Sequence, residues 1–421
     1  MRATVSDNQL PPRPRIAIVA RYCLSEQFKL AAEFRATLST LVREADVLHV
    51  SLKDPHSPPD IPGLSVYELP LSVNRASAFD IGLKSILFYL LIPSMVRRLQ
   101  RFNPDVIYLS EALPLVGYLL RILARRKTAI TFGDRHLHNR FGDRWWVRPL
   151  ARLIESLEGF ELRRVDGVFT RGETCRLEIQ RHGVPRFRTR IAYDVPEPEA
   201  FSPRDASLLR RQCGFKEDDV ILFWHGIMHK GKALDRLLQW TAELYRENPR
   251  FGIILVGTGP EETALRHLAE RLGLGGRAHF TGWLETPREV GDYCNAADIC
   301  IGMRRGDATN AFAISGALVH SMACRKVLLA PRLPGMSEIV QDGENGFLFT
   351  PDDGVDFKRI VRRVAANPVE AERVRTRAYE DIQRRFSVAT AAREYADALK
   401  YYASLPPLNT AHRVQDILPG T

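Results

Sequence analysis

The sequence predicts an α/β protein with two doubly wound parallel sheets, and three observations carry that reading. Short all-apolar runs recur along the 421 residues, among them 16–20, 106–109 and 252–256, as strands buried on both faces require. Most are followed by a longer stretch with apolar positions at helical spacing, the alternation of βα units. The alternation breaks at 195–205, a stretch rich in Pro and polar residues, and then restarts. At roughly 100–200 residues per domain the length suits two domains.

Residues 1–14, which include Pro11-Pro12-Arg13-Pro14, read as a loose tail. A strand over 16–20 leads to a helix over 28–43, where Phe28, Leu30, Ala31, Phe34, Leu38, Leu41 and Val42 share one face. Strands follow at 47–50, 106–109, 128–132 and 167–170, with helices at about 83–101, 115–124 and 146–164. Beyond the linker, strands are expected at 220–224, 252–256, 279–281, 298–301, 327–330 and 347–349. Helices are expected at 232–246, 260–272, 286–296, 315–324, over 355–384 and at 388–405. The predicted division is a Rossmann-like first domain over 15–198 and a Rossmann-like second domain over 199–385. The helix and tail over 386–421 are expected to pack back toward the first domain.

Composition narrows the function classes. Hydrophobic residues make 45% and charged residues 26%, which are globular averages and exclude a wholly disordered chain. The six cysteines are scattered without a CxxC pair, so zinc spacing and a disulfide scaffold are excluded and a reduced, cytoplasmic compartment is expected. Residues 1–15 lack the apolar core of a secretory signal. The most apolar run, 85–92, is far short of the roughly 20 residues that span a bilayer. The formal charge of +10 leaves nucleic acid, anionic membrane and phosphorylated ligands open. No nucleic-acid recognition motif is present, which disfavours nucleic acid.

In two facing sheets of this kind ligands bind beyond the carboxyl ends of the strands, so the loops there hold the candidate residues. Gly226-Ile-Met-His-Lys-Gly-Lys232 follows a strand; glycine lets backbone approach a ligand and Lys232 can reach a phosphate, or the loop is simply polar and solvated. Val256-Gly-Thr-Gly-Pro260 places Gly257 and Gly259 after another strand, either against a nucleotide or in a tight strand-to-helix turn. Glu262 replaces the third glycine of a dinucleotide fingerprint, so no nicotinamide cofactor is expected. Ser315, Gly316 and Ala317 open a helix, whose start serves as an anion site or takes Ser315 as a plain cap. No acidic pair sits where it would hold a metal; Asp352-Asp353 reads as a helix start.

Six segments then come in one order: Gly226-x5-Lys232, Leu255-Val-Gly-Thr-Gly-Pro-Glu261, Phe280-Thr-Gly-Trp283, Ala296-Ala-Asp298, Met322-Ala-Cys324 and the stretch from Pro334 to Gly346. In order and spacing they resemble the C-terminal half of glycosyltransferase family 4, closely over about 220–350 and loosely before that. The resemblance implies a GT-B fold and transfer of a sugar from a nucleotide-diphosphate-sugar, UDP- or GDP-linked, that serves as co-substrate with no further cofactor. Lys232 matches the family's diphosphate lysine, while Ile227 stands where an arginine is usual, with His229 or Lys230 as substitutes. Trp283 and Leu284 match the loop that touches the base, and Glu338 the glutamate of a Gly-x-x-Glu element. Two family glutamates, one near the donor sugar and one on the ribose, are replaced by Phe312 and His320. The sequence there reads Asn310-Ala-Phe-Ala-Ile-Ser-Gly-Ala317, which marks a divergent subgroup leaning on Ser315-Gly316 and the helix start.

In the first half, Thr131-Phe-Gly-Asp-Arg-His136 stands where the family often has a His-Asp pair facing the donor sugar; Gly133 replaces the histidine and Asp134 remains. Asp134 can take a proton from an acceptor hydroxyl, or position the sugar, or only cap the next segment. His136 and His138 are secondary candidates there, and Tyr193-Asp194 replaces the usual Asn-Gly. Residues 121–190 hold 17 Lys+Arg against 8 Asp+Glu, with Trp145-Trp146 among them, and Arg97, Arg98 and Arg101 follow the apolar run. That pattern suits peripheral attachment to an anionic membrane, or a solvated basic face over a buried helix. The function so implied is transfer to a glycan or lipid-linked acceptor in surface polysaccharide assembly. Two rivals are a sugar-nucleotide epimerase of the same fold and a member that binds a nucleotide or glycan without turnover.

Overall fold

Val, Ile and Leu runs form strands here because both faces of each sheet are covered, which suits branched side chains on a pleat. The structure is a computed structural model in which residues 13–20, 22–24, 32–54, 60–71, 87–110, 113–132, 148–307, 310–312, 314–406 and 408 are described. The first sheet comprises β1 (Arg15–Val19), β2 (Asp46–Leu52), β3 (Leu64–Leu69), β4 (Val106–Leu109), β5 (Lys127–Phe132), β6 (Gly167–Thr170) and β7 (Thr189–Ile191). Its strand order is β3-β2-β1-β4-β5-β6-β7, all parallel. Helices α1 (Ala32–Glu44), α2 (Ile92–Phe102), α3 (Val116–Ala124), α4 (Arg148–Leu162) and α5 (Glu173–Arg181) connect these strands.

The second sheet comprises β8 (Val220–His225), β9 (Phe251–Val256), β10 (Ala278–Phe280), β11 (Ile299–Ile301), β12 (Val327–Pro331) and β13 (Phe347–Phe349). Its order is β10-β9-β8-β11-β12-β13, again parallel throughout. Its helices are α6 (Ser207–Gln212), α7 (Leu234–Glu247), α8 (Glu262–Arg271), α9 (Pro287–Ala296), α10 (Gly316–Ala323), α11 (Pro334–Ile339), α12 (Gly354–Ala366) and α13 (Pro368–Arg385). Strand order reverses between β1 and β4 in one sheet and between β8 and β11 in the other, and such switch points open the crevices where ligands bind.

Strands β3 and β7 and helices α5, α6 and α11 went unseen in the sequence. β3 is half-exposed along most of its length, so it lacks the continuous apolar run of the inner strands. The helical stretch 355–384 is two helices, because Pro368 cannot continue α12 and instead opens α13 behind the Asn367 cap. Asp353 caps α12, accepting N–H bonds from Val355 and Asp356.

The Pro-rich stretch between the sheets is packed rather than loose: Val195, Ala200 and Phe201 are buried in one apolar cluster with Ile314 and Leu318. Helix α14 (Val388–Ser404) lies on α1 and against β1, β4 and β5 of the first sheet. Its Tyr402 hydroxyl donates to the carbonyls of Val168 and Arg188, both at 3.1 Å. Lys127 closes the helix end, donating to the carbonyls of Ala403 and Leu405.

Candidate functional site

The loop after β8 is the centre of the site. Gly226 takes φ +139°, open to glycine, and turns the chain off the strand. Lys230–Lys232 then form one 3-10 turn. His229 caps it, its Nδ1 accepting the Gly231 N–H at 3.2 Å, so this ring nitrogen serves its own loop rather than a ligand. Arg305, just past β11, braces the turn: its N–H donates to the Gly231 carbonyl at 3.1 Å and its Nε to the Lys230 carbonyl at 2.7 Å. Lys232 is half-buried, and its charge is felt by His225, the last residue of β8.

Gly257 and Gly259 serve loop-to-loop packing. A Cβ on Gly257 would lie 2.0 Å from the Gly226 carbonyl oxygen, and one on Gly259 2.3 Å from that of Met228. The loops are joined by bonds from the Met228 N–H to the Thr258 carbonyl (2.8 Å) and from the Glu261 N–H to the Met228 carbonyl (3.1 Å). The Gly257 N–H donates to the Gly282 carbonyl at 2.9 Å, tying in a third loop. On that loop Trp283 is 67% exposed and Leu284 is half-buried. Three strand ends thus share one rim.

Helix α10 points its start into the same crevice. Ser315 stands at the cap position without a side-chain cap bond, and Ser315, Gly316 and Ala317 are half-buried. The first N–H groups of a helix lack intrahelical acceptors and carry the positive end of its dipole. His320, one turn on, reaches back toward Gly316 and stacks on Phe201, with ring centroids 3.9 Å apart and planes 1° apart. Its Nδ1 lies 3.4 Å from Nε2 of His225. Burial lowers His225 to about 4, with Lys232 adding to the effect, and burial followed by the His225 charge holds His320 well below the ordinary range. Both imidazoles are neutral at pH 7.

The stretch 310–315 departs from expectation. Asn310 is buried; its Oδ1 accepts from Nη1 of Arg304 at 3.2 Å and its amide donates to Asp307. Phe312, at the place resembling a glutamate, is buried in an apolar cluster that contains Phe132 and Cys175 of the first sheet's core. Ile314 presses on Gly172, where a Cβ would lie 2.3 Å from Cδ1 of Ile314.

Glu338 joins the two domains. Expected at the donor sugar or in the cleft between the domains, it lies on α11 with its oxygens engaged by the first domain. They accept N–H bonds from Glu173 (2.6 Å) and Thr174 (2.9 Å), the Thr174 hydroxyl (3.0 Å) and the Tyr193 hydroxyl (2.6 Å). The helix α5 start has no side-chain cap of its own, and a carboxylate there is favoured by the dipole. Burial, then the bond to Glu338, raises the Tyr193 phenol above its usual range. Asp194 pairs with Arg171 and stands beside Gly316, its Oδ2 3.8 Å from the position of a Cβ there.

Asp134, His136, His138 and the Trp145-Trp146 pair lie outside the described residues. Among the described residues no cluster of three His, Cys, Asp or Glu could hold a metal ion, and no helix is long and apolar enough to cross a membrane. The sequence reading missed His225, Phe201, Arg171, Arg304 and Arg305. A polar residue ending an apolar run, as in Val220-Ile-Leu-Phe-Trp-His225, was the available signal for the first.

Comparison with known proteins agrees with this architecture. Residues 205–381 match the family described as glycosyl transferases group 1. EpsD of Bacillus subtilis is 28% identical over 206 residues, 48% of this chain and 51% of EpsD. A D-inositol 3-phosphate glycosyltransferase of Nocardioides sp. is 29% identical over 270 residues, 60% of this chain and 57% of that protein. The chain therefore spans about half the length of these curated relatives. HepE of Anabaena, solved in complex with UDP, superposes with a TM-score of 0.68 at 19% identity, over 92% of this chain and 99% of HepE. The two Rossmann-like domains thus share the GT-B fold of HepE, and residues 205–381, within the second of them, are similar to the group 1 glycosyl transferases.

Proposed function

We propose that the protein transfers a sugar from a nucleotide-diphosphate-sugar to a glycan or lipid-linked acceptor. The observation that carries the reading is the convergence of the Lys232 turn and the α10 start at the switch point between β8 and β11. A cation and a helix start together stabilise the charge that develops on a departing diphosphate without a bound metal. UDP- and GDP-sugars are the donors considered; the UDP bound in HepE supports the first. The base would meet the rim carrying Trp283. Asp134, two residues beyond β5 in the sequence, is the residue we assign to the acceptor hydroxyl, as base or as sugar-positioning group.

An acceptor carried on lipid, as in surface polysaccharide assembly, accords with the face formed by α2 and α3. Leu90, just before α2, and Ile122 and Leu123 of α3 are exposed, as are Arg97 and Arg101 of α2 and Arg125 just after α3. Basic and apolar groups in one patch suit an anionic leaflet, which would place the enzyme peripherally on the inner membrane face.

The test is a thermal-shift screen with UDP, GDP, ADP and their sugar conjugates on the wild type and Lys232→Ala. A ligand at 100 times its Kd adds about 2.7 kcal/mol. One nucleotide should stabilise the wild type, and the variant should lose most of the shift. No shift with any nucleotide would sink the donor-site assignment. A second reading, binding without turnover, is favoured by Phe312 and His320 standing where the resemblance expects glutamates. It predicts nucleotide binding with no release of nucleotide from a sugar conjugate in the presence of membrane extracts.

A further inference from the structure

We infer that His225 and His320 form a proton-accepting element of the donor site, so that binding a sugar-nucleotide diphosphate draws one proton from solvent onto the pair. The inference rests on the donor-site reading above and adds to it a residue and a pH dependence. Its basis is geometric. The two rings are joined Nδ1 to Nε2 at 3.4 Å, and Phe201 covers one face of His320. The other edge of His320 turns to the helix start: the position of a Cβ on Gly316 is 3.6 Å from its Cε1 and 3.9 Å from its Nε2.

An anion already stands at that point in the form of the Asp194 carboxylate, 3.8 Å from the same position and held by Arg171. The other charges around the pair are few. Lys232 approaches His225 from the loop. On the flank formed by α13, Asp381 is engaged by Arg384 and Asn345, and on α9 Asp292 is engaged by Arg204.

With Lys232 beside it and Asp194 neutralised by Arg171, the pair stays neutral before a ligand binds because burial opposes charging it. A diphosphate at the α10 start brings two negative charges within a few ångströms in a low-dielectric crevice, which favours the charged imidazole. The proton adds at Nε2 of His320, and the proton between the rings stays shared. The resulting imidazolium supplies positive charge where Ile227 offers none; Ile227 is 49% exposed and apolar. A glutamate at 320 would carry the opposite charge and could not respond in this way.

The experiment is titration calorimetry of the full chain with UDP-glucose and, in parallel, GDP-mannose, whose diphosphates carry no group titrating near neutrality. Heats are measured at pH 7 in two buffers of different ionisation enthalpy, and affinity is measured from pH 6.5 to 7.5. Uptake approaching one proton per ligand is expected, with affinity falling about tenfold per pH unit, as linkage of one proton requires. His320→Gln and His225→Asn should bind more weakly with little proton uptake and a flat pH profile, and melting curves without ligand show whether each is folded. Binding without proton uptake in the wild type, or uptake unchanged in both folded variants, overturns the inference. Failure of both sugar nucleotides to bind overturns the donor-site reading and the inference with it.

Discussion

Two helix starts in this protein are capped by glutamates far away in sequence. Leu115 and Gly172 precede α3 and α5, and neither side chain can cap. Glu161 accepts the N–H of Leu115 (2.9 Å) and of Tyr118 (3.1 Å), and Glu338 serves α5 from the other domain. Burial pushes Glu161 up to about 7, against the pull of its backbone bonds. Replacing Glu338 by Ala leaves half-buried donors without their charged acceptor and should cost about 2–3 kcal/mol. Tyr193→Phe should cost about 1 kcal/mol, with less than additive loss in the double variant. Denaturant unfolding of the four proteins measures this; strictly additive losses would show that the two groups act separately. Capping is read from sequence over three or four residues, so a cap donated across 165 residues leaves no local trace. For the same reason the capping role of Glu338 could not be read from sequence, whereas the N-cap role of Asp353, made within its own turn, was legible.

At the level of elements, periodicity located the inner strands and their helices, because burial on two faces writes a continuous apolar run. It missed β3, an edge strand with mixed exposure, and β7, only three residues long. In the rim, the glycines of the β8 and β9 loops were legible as glycines but not in their use. Gly226, Gly257 and Gly259 let two loops touch backbone to backbone, a contact that only the folded sheet brings about. Gly259→Ala would put a Cβ 2.3 Å from the Met228 carbonyl and 2.6 Å from its nitrogen, both backbone atoms that cannot rotate away. The loops must then part. The expected outcome is a loss of about 1–3 kcal/mol in stability together with weaker nucleotide-induced thermal shift, because the Lys232 turn is displaced. A variant with the shift of the wild type would show that the rim does not position Lys232. Phe312 and His320 illustrate the opposite case. Their identities were plain in the sequence, but the burial of Phe312 among first-domain side chains and the pairing of His320 with His225 arise only when the elements meet.

For the whole molecule, exposed apolar residues and exposed arginines both occur in the α2–α3 region of the first domain. Leu90, just before α2, is 72% exposed, and Ile122 and Leu123 of α3 are each 46% exposed. Gln100 ties the two helices through the Leu123 carbonyl at 3.0 Å. Each cation near an anionic leaflet contributes about 1 kcal/mol. The Arg97→Glu, Arg101→Glu double variant should therefore lose most of its co-sedimentation with phosphatidylglycerol vesicles, while melting at the wild-type temperature. Equal sedimentation of wild type and variant, or equal binding to neutral phosphatidylcholine vesicles, would rule out this face as the contact.

Helix α14 also bears on how the protein is made. Tyr108 and Phe169 of the first sheet meet Tyr395 and Tyr402 on that helix, some two hundred residues later in translation. A nascent first domain can form its strands on the ribosome, but this face stays without its aromatic lid until the chain through Ser404 has emerged. At about 5–20 residues per second, the wait for those residues is on the order of ten seconds or more. During synthesis the first domain is thus a client for chaperones that shield apolar sheet faces, and a ribosome stalled within the second domain would leave a first domain that cannot complete itself.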